Sequence, residues 1–462
     1  MNESNNKGMI TENEKELARH CIAYALEHGA SQARVSLGKS VLDTFMMLNG
    51  TLDKVTRCAD SSIYIYLFVD GRYGTYSTNR LDRKSLEEFV DKAIDSTRML
   101  AEDTCRRLPD YERTAKDAVS GYEAGLYDPL WQEMTSERKR SLVLEGAIFS
   151  SLKDNDRYTV ISEECEYSDS IDDSFIADSQ GFEGRHTETS FAFWSEMTIE
   201  DRKGNKYSGY WWESSPKFAD ISIDGCSEKA LEKAVKQIGP KKGRSGSMKM
   251  ILDNCVSSRV ISPILSALNA GAIQQKNSFL EDSLGRQIFP EELSLTDLAR
   301  SHGEPGARLF DTEGVATYDH AVIEKGVVKE YFVNTYMAGK LGMAPTIEGI
   351  SRPVLEPFIK GKVLLSEKNE INLQAIMEFC GDGVLVTGFN GGNCNPTTGD
   401  FSYGVEGFMF KDGRITHPVK EMVITGNMLR LWSSVIAAGN DARKGARWQI
   451  PTLAFDNVDF SA

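Results

Sequence analysis

The chain is poor in the residues that build most catalytic metal sites. Its 462 residues include only six histidines, His20, His28, His186, His302, His320 and His417, and no two stand four apart. The paired-histidine helix of a hydrolytic zinc site is therefore absent, since such a site takes about three protein ligands, two of them commonly at i and i+4. The eight cysteines (21, 58, 105, 165, 226, 255, 380 and 394) form no CxxC pair, which fits neither a disulfide scaffold nor a zinc knuckle. Most of them are expected as small buried hydrophobes.

Basic charge is also short. The formal net charge of −15 disfavours direct binding to nucleic acid, where clustered Lys and Arg release counterions from the phosphates. No apolar run approaches the roughly 20 residues that span a bilayer, and the opening MNESNNKGMITENEKE has no apolar signal core, so a cytoplasmic, soluble protein is expected. GxxxxGK[ST], GxSxG and a GxGxxG opening a helix after a strand are missing in their required contexts.

What is present divides into two parts. Residues 11–28 place Leu17, Cys21, Tyr24 and Ala25 at helical spacing, with Gly29 just past the end. Between 33 and 77 the period becomes two, broken by the turn dipeptides Asn49-Gly50 and Asp70-Gly71, which predicts an antiparallel meander. Helical patterns return at 83–104 and 137–153, more strands are expected between 158 and 214, and a further helix at about 227–237. The stretch GPKKGRSGS, 239–247, reads as a linker. Beyond it come the strand MKMIL, a helix with Val256, Val260, Ile261, Ile264, Leu265 and Leu268 on one face, and the strands GVVKEYFVN, GVLVTGF and YGVEGFMF. The fold class is α+β: an N-terminal domain over 1–238 with an antiparallel or mixed sheet flanked by helices, and a strand-rich, barrel-like C-terminal domain over 248–462.

Few constellations suggest chemistry. His20 and His28 fit helix-surface and helix-end roles. His302, Glu304, Asp311 and Asp319 would make a site only if the fold gathered them, and turn or surface roles suit them better. Ser245 in GRSGS resembles a nucleophile only superficially and reads as slack. The distinctive segment is FNGGNCNPTTGDFSYGVEGF, 389–408, where five glycines separate polar side chains between apolar strands. Such a loop lets backbone approach a ligand, because glycine tolerates positive φ. Asn390, Asn393, Cys394, Asn395, Thr398, Asp400 and Ser402 are the candidate wall of a substrate channel, with Thr397 beside them; the same residues equally fit a tight interstrand turn.

TGDFSYGVEGF followed by KDGRITHPVKEMVITGNM resembles the C-terminal signature of the TldD/PmbA family, often labelled "modulator of DNA gyrase". KNSFLEDSLGRQIF and FDTEGVATYDHAVIEKGVVKEYFVNTYMAGKLGM agree in order; GISRPVLEPFIKG does not match. One branch of that family carries HExxxH on the helix that opens the C-terminal domain. Here that helix reads ISPILSALNAGAIQQ, so the chain is similar to the PmbA (TldE) branch. The resemblance implies a subunit without metal or cofactor that pairs with a zinc-bearing TldD subunit to cleave unfolded or extended peptides, with a homodimer possible in isolation. The competing readings are a stand-alone hydrolase using Asp400, Ser402 or a cryptic histidine-carboxylate site, and a non-proteolytic regulator binding gyrase or toxin-antitoxin components.

Overall fold

The computed structural model describes residues 8–153, 155–362 and 370–462; the polar stretch 1–7 that opens the sequence lies outside them. The chain forms two compact units. The first runs to Glu232 and adds Arg300–Tyr318 and Asn334–Glu348; the second holds Lys233–Ala299, Asp319–Val333 and Gly349–Ala462.

The first unit is built on an antiparallel sheet ordered β3 (Arg72–Thr78), β2 (Thr51–Val69), β1 (Gln32–Leu48), β4 (Tyr158–Asp178), β5 (Glu183–Asp201) and β6 (Lys206–Ser215). Its tight turns are the expected ones: Asn49, Gly50, Asp70 and Gly71 all take positive φ, as a type I′ hairpin requires. Alternation along β1 sends Ala33, Val35 and Leu37 to one face, where helices α1 (Glu12–Glu27) and α2 (Arg83–Arg98) close a core with Ile63, Ile65, Leu67, Leu86 and Val90. A capping box starts α1: Thr11 Oγ1 accepts from the Glu14 N–H at 3.3 Å and the Glu14 carboxylate accepts from the Thr11 N–H at 2.8 Å. The far half of the same face is covered from helix α3 (Ser136–Gly146) and by Cys226 of helix α4 (Cys226–Lys236), over Phe45, Tyr167, Phe191 and Phe193. Both α2 and α3 stop short of their expected ends at 104 and 153. After Gly146, a position where a Cβ would fall 2.2 Å from the Phe193 ring, the backbone turns extended at Ala147.

In the second unit, β7 (Gly246–Leu252), β8 (Gly383–Cys394), β9 (Asp400–Lys411), β10 (Arg414–Asn427) and β11 (Leu453–Ser461) close into a five-stranded barrel. Closure is made where Val423, Ile424 and Thr425 of β10 pair with Ser461, Phe460 and Asp459 of β11. Closure removes the sheet edge wherever a strand is paired on both sides, and β8 is so paired only over Val384, Leu385 and Val386. Helix α5 (Ser258–Ala267) is tied to the barrel through Trp432, whose Nε1–H donates to the Val260 carbonyl at 3.1 Å and whose ring packs edge-on against Phe455.

Two local expectations change. Part of the stretch 239–247 is paired: Lys241 and Lys242 run parallel to Val419 and Lys420, Gly246 and Ser247 already belong to β7, and Ser245 Oγ accepts from the Ala462 N–H at 3.0 Å. GVVKEYFVN is strand only at Val327–Val328. Val327 and Val328 pair with Glu324 and Ile323, but beyond them the Lys329 N–H donates to Val322 and that of Phe332 to Leu268, so the rest of the segment's backbone is shared among separate partners. Among the described residues no helix is long and apolar enough to cross a membrane.

Candidate functional site

The glycine-rich segment 389–408 is mostly strand. β8 continues to Cys394 and β9 begins at Asp400, with Gly391 opposite Gly404, Gly392 opposite Tyr403 and Asn393 opposite Ser402. Two irregularities, between Val386 and Gly388 and between Phe389 and Gly391, bend the extension. The glycines are there for the partner strand. A Cβ on Gly392, at φ +95, would lie 1.9 Å from the Ser402 carbonyl oxygen, and one on Gly404 would lie 2.0 Å from Asn390 Oδ1.

The turn, 395–399, consumes most of the polar side chains. The Asn395 N–H donates to the Asp400 carbonyl at 2.7 Å, and Asn395 Oδ1 accepts from the Thr397 N–H at 2.9 Å. Asp400 accepts from Thr398 Oγ1 at 2.8 Å and from Asn427 Nδ2 at 2.9 Å. The Asn427 hydrogen bond, followed by that of Thr398, holds the Asp400 carboxyl below the usual range. Thr397 Oγ1 donates to Asn277 Oδ1 at 2.7 Å. Asn395, Thr398 and Asp400 thus do the work of an interstrand turn, while Asn390, Asn393 and Ser402 remain exposed.

Asn393 and Cys394 bring the hairpin to α5. Together with Arg259, Ser262, Pro263 and Ser266 they line a cleft of about 440 Å³, floored by Tyr403 and Phe279. Tyr403 is fixed by stacking on Phe401 (centroids 5.4 Å, 20°) and an edge contact with Phe389 (5.5 Å, 81°). Arg259 donates from Nη2 to the Gly392 carbonyl at 2.9 Å and holds its guanidinium 5.1 Å above the Tyr403 ring. Burial, then the neighbouring Asp400, raises the Cys394 thiol above its ordinary range, so it is a neutral group and not a thiolate nucleophile at neutral pH. Asn393, Cys394, Asn395, Asp400 and Ser402 also border a second hollow at the hairpin tip.

Sequence reasoning passed over Arg259, Ser262 and Ser266. Their signal is the polar stripe at i, i+3 and i+7 opposite Val260, Ile261, Ile264 and Leu265.

The histidines stand apart. His302 belongs to the first unit and His320 to the second, where its Nε2 lies 3.3 Å from the Glu330 carboxylate. Glu304 and Asp311 fall with His302, and Asp319 with His320. Asp311 spends its oxygens on backbone: Oδ1 accepts from Glu313 and Val315 N–H at 2.9 and 3.0 Å, and Oδ2 from Glu348 N–H at 3.0 Å. His20 Nε2 meets Glu87 at 2.7 Å, and the His28 Nδ1 lies 2.8 Å from the Tyr24 carbonyl of its own helix. Among the described residues, no three His, Cys, Asp or Glu side chains are grouped so as to hold a metal ion. The cleft's donors are a guanidinium, hydroxyls, amides and one protonated thiol, a set that does not fit zinc.

Comparison with known proteins covers nearly the whole chain. Residues 34–97, 129–238 and 245–462 match, in that order, PmbA/TldA metallopeptidase domain 1, central domain and C-terminal domain. A metalloprotease PmbA homolog of Haemophilus influenzae is 25% identical over 99% of this chain and 98% of its own length. A crystal structure from Bacteroides thetaiotaomicron, named as a modulator of DNA gyrase, shares 40% identity with a TM-score of 0.91, covering 98% of this chain and all of that one. TldE from Thermococcus kodakarensis, 16% identical with a TM-score of 0.77 over 96% of this chain and all of that one, shares the fold. On these grounds the chain belongs to the PmbA/TldD family of metalloprotease-type proteins.

Proposed function

We propose that this chain is the metal-free subunit of a two-part PmbA/TldD-type metalloprotease, pairing with a zinc-bearing subunit and lending part of the channel that holds unfolded or extended peptides. One observation carries the reading. By the resemblance α5 corresponds to the helix that carries HExxxH in the metal-bearing branch, and what is observed here is that it turns Arg259, Ser262, Pro263 and Ser266 to the cleft. A fixed guanidinium at that wall repels a divalent cation, and Pro263 lacks the N–H that would bond the Arg259 carbonyl. On this reading the metal and the attacking water come from the partner, and this chain contributes strand edge, hairpin and cleft.

The test measures zinc content and cleavage of an unfolded peptide by the purified chain, by a TldD-type partner and by the mixture, with chelator as control. Zinc and chelator-sensitive cleavage are expected only where the partner is present, with this chain raising the rate. Stoichiometric zinc or cleavage by this chain alone overturns the proposal. Mutating the partner's metal ligands separates it from a non-proteolytic regulator, whose effect would survive that change.

A further inference from the structure

β7 reaches β8 only at residues 384–386 and ends at Leu252, where the Asp253 N–H closes on the Val386 carbonyl. From 388 to 394, β8 is paired on one side by β9, and its other side meets no strand among the described residues. The end of that stretch, Gly392, Asn393 and Cys394, lines the cleft together with α5. Gly391 and Gly392 carry no side chains to obstruct the open side, and unpaired strand edges accept extended chains.

The cleft is also selective in charge. In a chain of net charge −15, Arg259 is the one charged residue among the described residues that line it, and no carboxylate does. Arg259 Nη2 is anchored on the Gly392 carbonyl, and the guanidinium lies over the Tyr403 ring, 5.1 Å from its centroid. The rest of the fork has no acidic partner among the described residues and is exposed. A held, partly unsatisfied guanidinium is the group that takes a carboxylate in two parallel hydrogen bonds. Ser262, Ser266 and Asn393 add neutral polar contacts along the same walls.

We propose that this cleft binds an extended peptide along the open edge of β8, with Arg259 receiving a carboxylate of that peptide. The inference rests on the reading that the cleft faces substrate, but its test is binding and needs neither partner nor metal.

The experiment follows fluorescence anisotropy of three labelled unstructured peptides with the full-length chain at low ionic strength. Two share one neutral sequence, the first with an amidated end and the second with a free C-terminal carboxylate; the third has internal glutamates substituted into that sequence and an amidated end. At least tenfold tighter binding of one acidic peptide over the neutral one is expected, and which one identifies the carboxylate. Arg259→Gln should abolish the preference while circular dichroism stays unchanged, and Arg259→Lys should restore only part of it. Equal binding of all three peptides, or a preference that persists in R259Q, overturns the proposal. Failure here with zinc and cleavage still confined to the partnered mixture would leave the subunit assignment standing.

Discussion

At the scale of single residues, the buried acids of the first unit differ in what neutralises them. Lys139 Nζ sits 2.5 Å from Asp43 and 2.8 Å from Asp169, and Arg185 meets Asp173 at 2.6 Å. Asp311 has no such cation among the described residues, only three backbone N–H groups, with Glu313 and Glu348 nearby. Burial leads in pushing its carboxyl up to about 6. A folded-state value above the unfolded one means that the native state holds the proton more tightly, so this group favours folding most at low pH. Its contribution falls as pH rises from about 4 through about 6 and is level above that. Two pK units correspond to at most about 3 kcal/mol. Urea unfolding of the parent and Asp311→Asn at pH 4 and pH 7 should show the variant gaining about 1–3 kcal/mol on the parent over that interval. A difference that stays flat with pH would mean Asp311 ionises alike in the folded and unfolded chain.

At the scale of elements, the β8/β9 hairpin stands or falls with Gly392. Its φ is +95, and a methyl group added there would lie 1.9 Å from the Ser402 oxygen, which leaves no room for a side chain without separating the strands. Gly392→Ala should cost about 1–3 kcal/mol and widen the hairpin. Release of the Arg259 anchor would show as exposure of Tyr403 by fluorescence; an unchanged melting curve would refute this. The position also shows how far the sequence can be read. Asn49-Gly50 and Asp70-Gly71 were legible as turns because two adjacent residues with positive φ are a local demand. α1 was legible from its period and from Gly29. In 389–408, by contrast, the glycines announce a close approach without saying to what, and the neighbour proves to be β9. Arg259 was invisible because its meaning depends on Gly392 and Tyr403, far along the chain. Barrel closure by β11 was equally hidden, since β-pairing across long sequence separation leaves no periodic trace in either strand.

At the scale of the whole molecule, chain order and compact unit do not coincide beyond the Gly-rich stretch 239–247. Two later segments, Arg300–Tyr318 and Asn334–Glu348, return to the first unit. They bring Phe310 edge-on to Phe182 at 5.9 Å, pair Val315 with Thr114, place Arg300 on Asp117 at 2.6 Å and let Tyr336 donate to Asp103 at 2.9 Å. They also cover the sheet face opposite α1 and α2, where Ile176, Ala115 and Ala118 join the two phenylalanines. A fragment ending at residue 238 keeps the whole six-stranded sheet yet loses that cover. Truncating one buried phenylalanine side chain costs roughly 3–5 kcal/mol, a large share of the roughly 5–15 kcal/mol that holds a domain folded. Fragment 1–238 should therefore bind a hydrophobic dye strongly and unfold without a sharp transition, and a synthetic peptide spanning 300–318 should restore cooperativity and protect Phe182. A fragment that melts as sharply as the intact chain, indifferent to the peptide, would mean that the returning segments decorate the first unit without completing its core.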